Sequence, residues 1–175
     1  MSATPNSYKN NAGYVAFQIT ADLIAAVGAP LVAADANLWV DASNVMQTFA
    51  PGERSRAREE TYVLGSDLPL TGSGKIPSIS IAATGLDTNG KTEAYGLSNP
   101  INVFDHILEP AFHGDIPVPF RHAPAGNRTG AQLRTYTGDT KVSGMQEPGS
   151  DANASSKAGR SFSLSANGVD KSTIV

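Results

Sequence analysis

Apolar and polar residues alternate with a period of two in several parts of the chain, which is typical of strands that bury one face. Val15, Phe17 and Ile19 are separated by small or polar residues, and this pattern predicts a first strand. The same alternation returns at Ile76 to Thr84 and again at Arg160 to Val169. We therefore expect a protein rich in β-structure.

Three further stretches have strand character with less regular alternation. A strand is predicted from Leu38 to Phe49, a short one from Pro117 to His122, and another from Gln132 to Val142. The prolines of the short strand favour the edge of a sheet, because proline cannot donate to the hydrogen-bond ladder. Turn sequences at Asp87 to Lys91 and Ala123 to Asn127 separate these strands from their neighbours.

One segment has the pattern of an amphipathic helix. Asn99 is a candidate N-cap, Pro100 suits the first helical position, and Pro110 is expected to end the helix. The apolar stripe of this helix consists of Ile101, Phe104, Ile107 and Leu108. Such a stripe is expected to lie on a sheet.

The alanine-rich segment from Asp22 to Ala36 leaves two alternatives open. It is either a short helix capped by Thr20 or an apolar loop broken at Gly28 and Pro30.

These elements predict a mainly β (α+β) fold, a β-sandwich or half-barrel with one flanking α-helix, in a single domain over residues 1–175. The helix stripe and the apolar strand faces are expected to share one core. The predicted core residues are Phe17, Ile19, Ile79, Ile81, Phe104, Leu108, Phe162 and Leu164.

The segment from Ala50 to Lys75 interrupts this pattern. It reads APGERSRAREE and then GSDLPLTGSGK, which is a cluster of charges of both signs followed by turn residues. A long excursion of this kind in a compact domain is usually functional. The plainer interpretation of the charge cluster Glu53 to Glu60 is a solvated surface.

Composition argues against several classes of function. The chain has no cysteine and a net charge of -3, so it has no thiolate chemistry and no overall basic excess for binding nucleic acid tightly. We expect no secretion signal and no membrane span, because the most apolar run, Ile19 to Ala34, is short and contains Asp22 and Pro30.

Candidate catalytic chemistry is limited to histidines and nearby carboxylates. The candidates are His106, His113 and His122 with Asp105 and Asp115. Their spacing matches no metal signature, and the string at Thr71 to Lys75 has Pro69 where a phosphate loop needs glycine. We therefore expect a protein that is not an enzyme and that binds neither metal nor cofactor.

The polar faces of the predicted strands carry short, neutral or acidic side chains without aromatic residues. These residues are Asp41, Ser43, Gln47, Ser78, Ser80, Ser161, Ser163 and Ser165. Such a face is either the ordinary solvated side of a sandwich or the wall of a channel through which a polyanion slides without binding.

The order of features from Glu60 onward resembles the major tail tube protein of long-tailed (siphovirus-like) bacteriophages. ETYVLGSDLPLTGSGKIPSISIAAT resembles the long loop and the following strand of that family, and NPINVFDHILEPAF resembles its lone helix. DIPVPFRHAPAGN resembles a strand and turn of the family, and RTYTGDTKVSG with GRSFSLSANGV resembles its closing strands.

The resemblance implies a structural virion protein of the phage tail, assembled in the host cytoplasm and free of catalysis, cofactors and membrane contact. It implies hexameric rings whose strands join into a continuous inner β-barrel, and stacking of rings by the long loop at about 50–75 and by terminal arms. It also implies a tape-measure protein and tail-end proteins as partners, and a lumen through which double-stranded DNA passes without specific binding.

Within this interpretation, the short polar residues named above face the lumen, and the charge cluster contacts a neighbouring ring. The inter-ring candidates are Glu53, Arg54, Arg56, Arg58, Glu59 and Glu60.

Two alternatives remain at this point. The first is another ring-forming or tube-forming component, such as a head-tail or tail-terminator ring or the tube of a secretion system. The second is a β-sandwich that binds a ligand such as a carbohydrate, which would need exposed aromatic residues for stacking. The chain offers one Trp and five Tyr for that purpose.

Overall fold

A computed structural model describes residues 13–52, 58–61, 70–73, 78–88, 90–146 and 159–175, with the backbone alone at 58–61 and 70–73. The strands of these residues are β1 (Tyr14–Gln18), β2 (Trp39–Asp41), β3 (Met46–Pro51), β4 (Arg58–Thr61), β5 (Leu70–Ser73), β6 (Ile79–Leu86), β7 (Phe120–Ala123), β8 (Gln132–Thr137), β9 (Lys141–Gln146), β10 (Gly159–Ala166) and β11 (Gly168–Thr173). A five-stranded sheet has the order β11-β8-β7-β1-β2, and a four-stranded sheet has the order β3-β6-β10-β9. Strands β4 and β5 pair separately as a two-stranded sheet.

The two larger sheets form a β-sandwich around one apolar core, as the sequence predicts. Each of the eight predicted core residues is buried in this core. In β6 the alternation of Ile79, Ser80 and Ile81 matches alternating burial and exposure, and β10 buries Phe162 and Leu164 in the same way. Phe17 of the five-stranded sheet meets Phe162 of the four-stranded sheet with ring centroids 6.4 Å apart.

The alanine-rich segment forms a helix, which is one of the two alternatives left open by its sequence. Helix α1 spans Ala21–Val27, and the Thr20 side chain accepts a hydrogen bond from the Leu23 amide. A 3-10 turn, Ala33–Asp35, follows. The Asp35 carboxylate is buried and accepts hydrogen bonds from the Val32 amide and from the Ser98 amide and hydroxyl. These bonds attach the turn to a distant loop and lower the pKa of Asp35.

The second helix begins later and runs further than predicted. A π-helical turn, Phe104–Leu108, leads into α2, Glu109–Gly114. The cap is Asn102 rather than Asn99, because its side-chain oxygen accepts hydrogen bonds from the Phe104 and Asp105 amides. Pro110 lies inside the helix and does not end it. The change of hydrogen-bond pattern at the π-helical turn accommodates its missing N–H.

The side chain of Arg160, near the start of β10, contacts residues of the second helical segment. Its guanidinium lies 3.4 Å from the Asp105 carboxylate and 3.5 Å from that of Asp87, and its Cζ lies 5.6 Å from the centroid of the Phe104 ring. The Phe104 ring also packs edge-on against Phe162, with centroids 6.1 Å apart. The helix stripe therefore lies on the sheet, as expected.

Two of the predicted strands are wrong in extent, because each contains a corner between the two sheets. The stretch from Leu38 to Phe49 is divided between β2 and β3, which belong to different sheets. The stretch from Gln132 to Val142 is likewise divided between β8 and β9. Gly138, with a φ of 83°, lies at the second corner, where glycine adopts the left-handed conformation without a steric penalty.

Strand β7 is a central strand, so the predicted edge position is wrong. It pairs with β1 on one side and with β8 on the other. Pro117 and Pro119 precede the strand, and the Pro119 carbonyl accepts a hydrogen bond from the Gln18 amide. The prolines therefore occupy positions where no ladder donor is needed.

Candidate assembly surfaces

The outer face of the four-stranded sheet is covered by short, uncharged side chains. Strand register places Thr48, Thr84, Ser161 and Gln146 in one row across this face, and Ala50, Ala82, Ser163 and Gly144 in the next. A third row begins with Ser80 and Ser165 and ends at Lys141, the one charged residue of these three rows. Hydrogen bonds between neighbours, such as the 2.7 Å contact of the Thr48 and Thr84 hydroxyls, satisfy part of this face.

Most of the proposed lumen residues lie on or beside this face. Ser80, Ser161, Ser163 and Ser165 belong to its rows, and Ser78 is exposed just before β6. Gln47 is exposed in β3, where the pairing with β6 shifts register between Met46 and Thr48.

Asp41 and Ser43 belong to a different part of the sandwich. Asp41 ends β2 in the five-stranded sheet, where it pairs with Ala16. Its carboxylate accepts hydrogen bonds from the Ser43 amide and hydroxyl, and the Ser43 hydroxyl oxygen accepts one from the Val15 amide at 3.0 Å. These contacts shape the corner between the sheets. The expectation that all eight residues share one face is therefore wrong, because it treats β2 and β3 as one strand.

Both edges of the four-stranded sheet are open in the described part of the chain. Strands β3 and β9 are the outermost strands of this sheet. The backbone–backbone hydrogen bonds of residues 47–51 and 141–146 within the described ranges go to their sheet partners β6 and β10, although helix α2 lies beside β9. Open edges present unpaired backbone donors and acceptors, which favour pairing with another chain. This feature was missed from the sequence, because edge position depends on strand order.

A row of basic residues crosses the five-stranded sheet next to β3. His122, Arg134 and Lys171 are direct neighbours in the register of β7, β8 and β11. His122 is buried against Phe49, with ring centroids 4.7 Å apart. Burial lowers the pKa of His122 to about 4, and the positive charge of Arg134 acts in the same direction. His122 is therefore neutral at physiological pH.

The candidate inter-ring residues are only partly described. Arg58, Glu59 and Glu60 lie in β4, which pairs with β5 and with neither of the larger sheets. The other candidates, Glu53, Arg54 and Arg56, lie outside the described residues.

The histidines considered as catalytic candidates lie on separate elements. The His106 ring contacts the backbone of Asn102, and His113 is exposed with its ring 3.9 Å from the Glu109 carboxylate. His122 lies in the sandwich. Among the described residues, no group of three or more possible ligands is arranged to hold a metal ion. No helix in the described ranges is long and apolar enough to cross a membrane.

Comparisons with known proteins find similar structures. No protein-family model matches the sequence, and no curated protein matches it. The chain is similar to the sheath/tube terminator of the extracellular contractile injection system PVC, with a TM-score of 0.55, 13% identity and 99% of each chain covered. It is also similar to the tube-terminating cap of the anti-feeding prophage, with a TM-score of 0.54, 13% identity, and 99% of this chain and 95% of that chain covered.

A third similar structure is the SPP1 tail tube, with a TM-score of 0.53 and 15% identity, covering 94% of this chain and 78% of that chain. These likenesses show that the chain has the fold of tube and tube-terminator proteins. They agree with the resemblance of the sequence to tail tube proteins.

Proposed function

We propose that this protein is a structural subunit of a phage tail tube, in which copies form rings around a channel for double-stranded DNA. The observation that carries the proposal is the four-stranded sheet. The side chains of its outer face are short and, apart from Lys141, uncharged. Both of its edge strands have no further strand paired to them among the described residues. One surface therefore suits a channel wall, and the two edges suit closure into a ring.

The directions of the strands are compatible with closure. Every neighbouring pair in the four-stranded sheet is antiparallel, so β9 runs opposite to β3. When copies are related by rotation about the tube axis, β9 of one copy meets β3 of the next in antiparallel orientation. The sheets then continue into a single inner barrel. Closed head-to-tail contacts of this kind generate rings, and closure removes the open edges.

The outer face of this sheet is suited to the passage of DNA. DNA carries a dense line of phosphates, and a wall rich in Lys or Arg would bind it through release of counterions. On the rows of this face, Lys141 is the single cation, and it is paired with Asp115 at 2.8 Å. DNA would therefore meet a wall without a free cationic row.

The segment around β4 and β5 supplies the contact between rings in this proposal. The support is that β4 and β5 pair with each other and with neither of the larger sheets. A tape-measure protein inside the tube and tail-end proteins at its ends complete the assembly. Each ring is expected to contain six copies of the chain.

A second candidate is a ring that ends a tube rather than one that extends it. The observation in its favour is that two of the similar structures are a tube terminator and a tube-terminating cap, each matched over 99% of this chain. Such a ring would close laterally in the same way and would stack on one side alone.

Electron microscopy of the purified full chain tests both candidates. Tubes of stacked rings support the tube subunit, and isolated rings that do not stack support the terminator. A protein that stays monomeric at high concentration contradicts both.

A further inference from the structure

The basic row beside β3 consists of His122, Arg134 and Lys171. Its positive charge is not neutralised by the acidic residues that the structure describes in the same protomer. Arg134 and Lys171 lie directly opposite each other on β8 and β11, and like charges in that position are destabilising. They line a cavity of about 290 Å³ together with Pro51 and Gly52 at the end of β3. This arrangement places two cations at one open edge of the four-stranded sheet.

Neither cation has an anionic partner within the described ranges. The ion pairs of those residues do not include Arg134 or Lys171. The Nε atom of Arg134 is buried and has no hydrogen-bond partner there. A buried donor without a partner costs free energy, so this corner is suited to a carboxylate that arrives from elsewhere.

The opposite edge of the same sheet has the complementary charge. Lys141, the first residue of β9, lies 2.8 Å from the Asp115 carboxylate and 3.5 Å from that of Asp139. The side chains of Asp115 and Asp139 are 76% and 56% exposed. Two carboxylates share one ammonium group, so this corner retains a net negative charge.

The basic cluster beside the end of β3 and the acidic cluster beside the start of β9 lie at the same level of the four-stranded sheet. Pro51 is opposite Ile81 of β6, Ile81 is opposite Leu164 of β10, and Leu164 is opposite Val142 of β9. The end of β3 and the start of β9 therefore belong to one row across the protomer. In a ring closed by β3 and β9, the start of β9 from the next copy reaches the end of β3.

We infer that Arg134 and Lys171 of one copy form ion pairs with Asp115 and Asp139 of the neighbouring copy, and that these pairs fix the register of ring closure. This inference rests on the proposed ring. Backbone pairing alone does not specify register well, since a strand can slip along its neighbour. A charged cluster at one end of the joint makes the slipped pairings less favourable.

Charge reversal in the full chain tests the inference. The variants are Lys171→Glu, Asp139→Lys and the two combined, with Asp170→Lys as the matched control. Asp170 is the neighbour of Lys171 on β11 and is exposed, but alternation directs it to the opposite face of the sheet. The measurement is the protein concentration needed for ring assembly at low salt, by sedimentation and electron microscopy, with thermal unfolding of each protomer as the check of folding.

Each single reversal is expected to raise the required concentration about tenfold, and the double variant to return it to within about threefold of the wild type. The defect of each single variant should shrink at about 1 M salt, where the Debye length falls to about 3 Å. The control should assemble like the wild type.

Single variants that assemble normally, or a double variant no better than the singles, overturn the inference. A defect in Lys171→Glu without one in Asp139→Lys also overturns it, because the acid would then lie elsewhere, for example at Glu53, which follows Gly52 in the sequence. These results leave the proposed function intact as long as the wild type forms rings. A wild type that forms none contradicts the proposed function itself.

Discussion

The imidazole of His122 lies against the ring of Phe49, with the two ring centroids 4.7 Å apart. This contact joins the five-stranded sheet to the edge strand of the four-stranded sheet. Phe49 also meets Phe120, at 6.2 Å between ring centroids, so the imidazole belongs to the same cluster of rings as Phe120. Its Nδ1 atom is buried and has no hydrogen-bond partner among the described residues.

This environment predicts that the protomer loses stability in mild acid. Burial and the charge of Arg134 lower the pKa of His122 from 6.5 to about 4. The unfolded chain therefore binds a proton before the folded protein does. The contribution of neutral His122 is complete above pH 6.5 and is lost as the pH falls from 6.5 towards 4. The total loss is of the order of 3 kcal/mol, because one pKa unit corresponds to about 1.4 kcal/mol.

Urea unfolding of the disassembled protomer between pH 4 and pH 8 measures this loss. His122→Phe is the matched control, since it preserves an aromatic contact with Phe49 and cannot titrate. We expect a flatter pH profile for this variant over the same range. Equal profiles for the variant and the wild type would show that another group is responsible.

Phe104→Ala is expected to destabilise the protomer by about 3–5 kcal/mol, because truncation of a buried phenylalanine leaves a cavity. Phe104 is 1% exposed and contacts both Phe162 and Arg160. Phe112→Ala removes the same atoms from the same helical region at a position that is 37% exposed. Chemical denaturation should show a much smaller loss for this control, and similar losses for the two variants would contradict the packing described here.

Replacement of residues 53–77 by a short glycine-rich turn is expected to preserve the fold. Strands β3 and β6 are antiparallel neighbours, and the Gly52 amide donates a hydrogen bond to the Ser80 carbonyl. The two ends of the segment therefore lie close enough for a short connection. If the segment joins rings, the shortened protein should form single rings without tubes. Normal tubes in electron micrographs would rule out that role.

Ser163→Lys tests which face lines the channel. Ser163 lies on the outer face of the four-stranded sheet, opposite Ala82 and Gly144. In the proposed tube, a lysine there would add a cation to the channel wall in every copy and should slow DNA ejection from particles that assemble normally. Asp41→Lys is the comparison, because Asp41 belongs to the five-stranded sheet. The expected result is slower ejection for the first variant alone, and the reverse result would place the lumen on the other sheet.

The sequence by itself determined much of the core and of the polar surface. Alternation in β6 and β10 identified Ile79, Ile81, Phe162 and Leu164 as buried, and the serines between them as residues of the opposite face. These assignments succeed because alternation depends on the local geometry of one strand, in which successive side chains point to opposite sides.

The tertiary structure decided which strands share a sheet. Ala42 and Val45 are buried at the corner between β2 and β3, so apolar character continues through the corner as it would along one strand. The pattern records whether a side chain meets the core, and a residue meets the same core from either sheet. Strand order decides that Asp41 and Ser163 lie in different sheets and that β7 is a central strand. It also decides that Arg134 and Lys171 are direct neighbours on β8 and β11. That order is set by packing between residues far apart in the chain, which local periodicity does not encode.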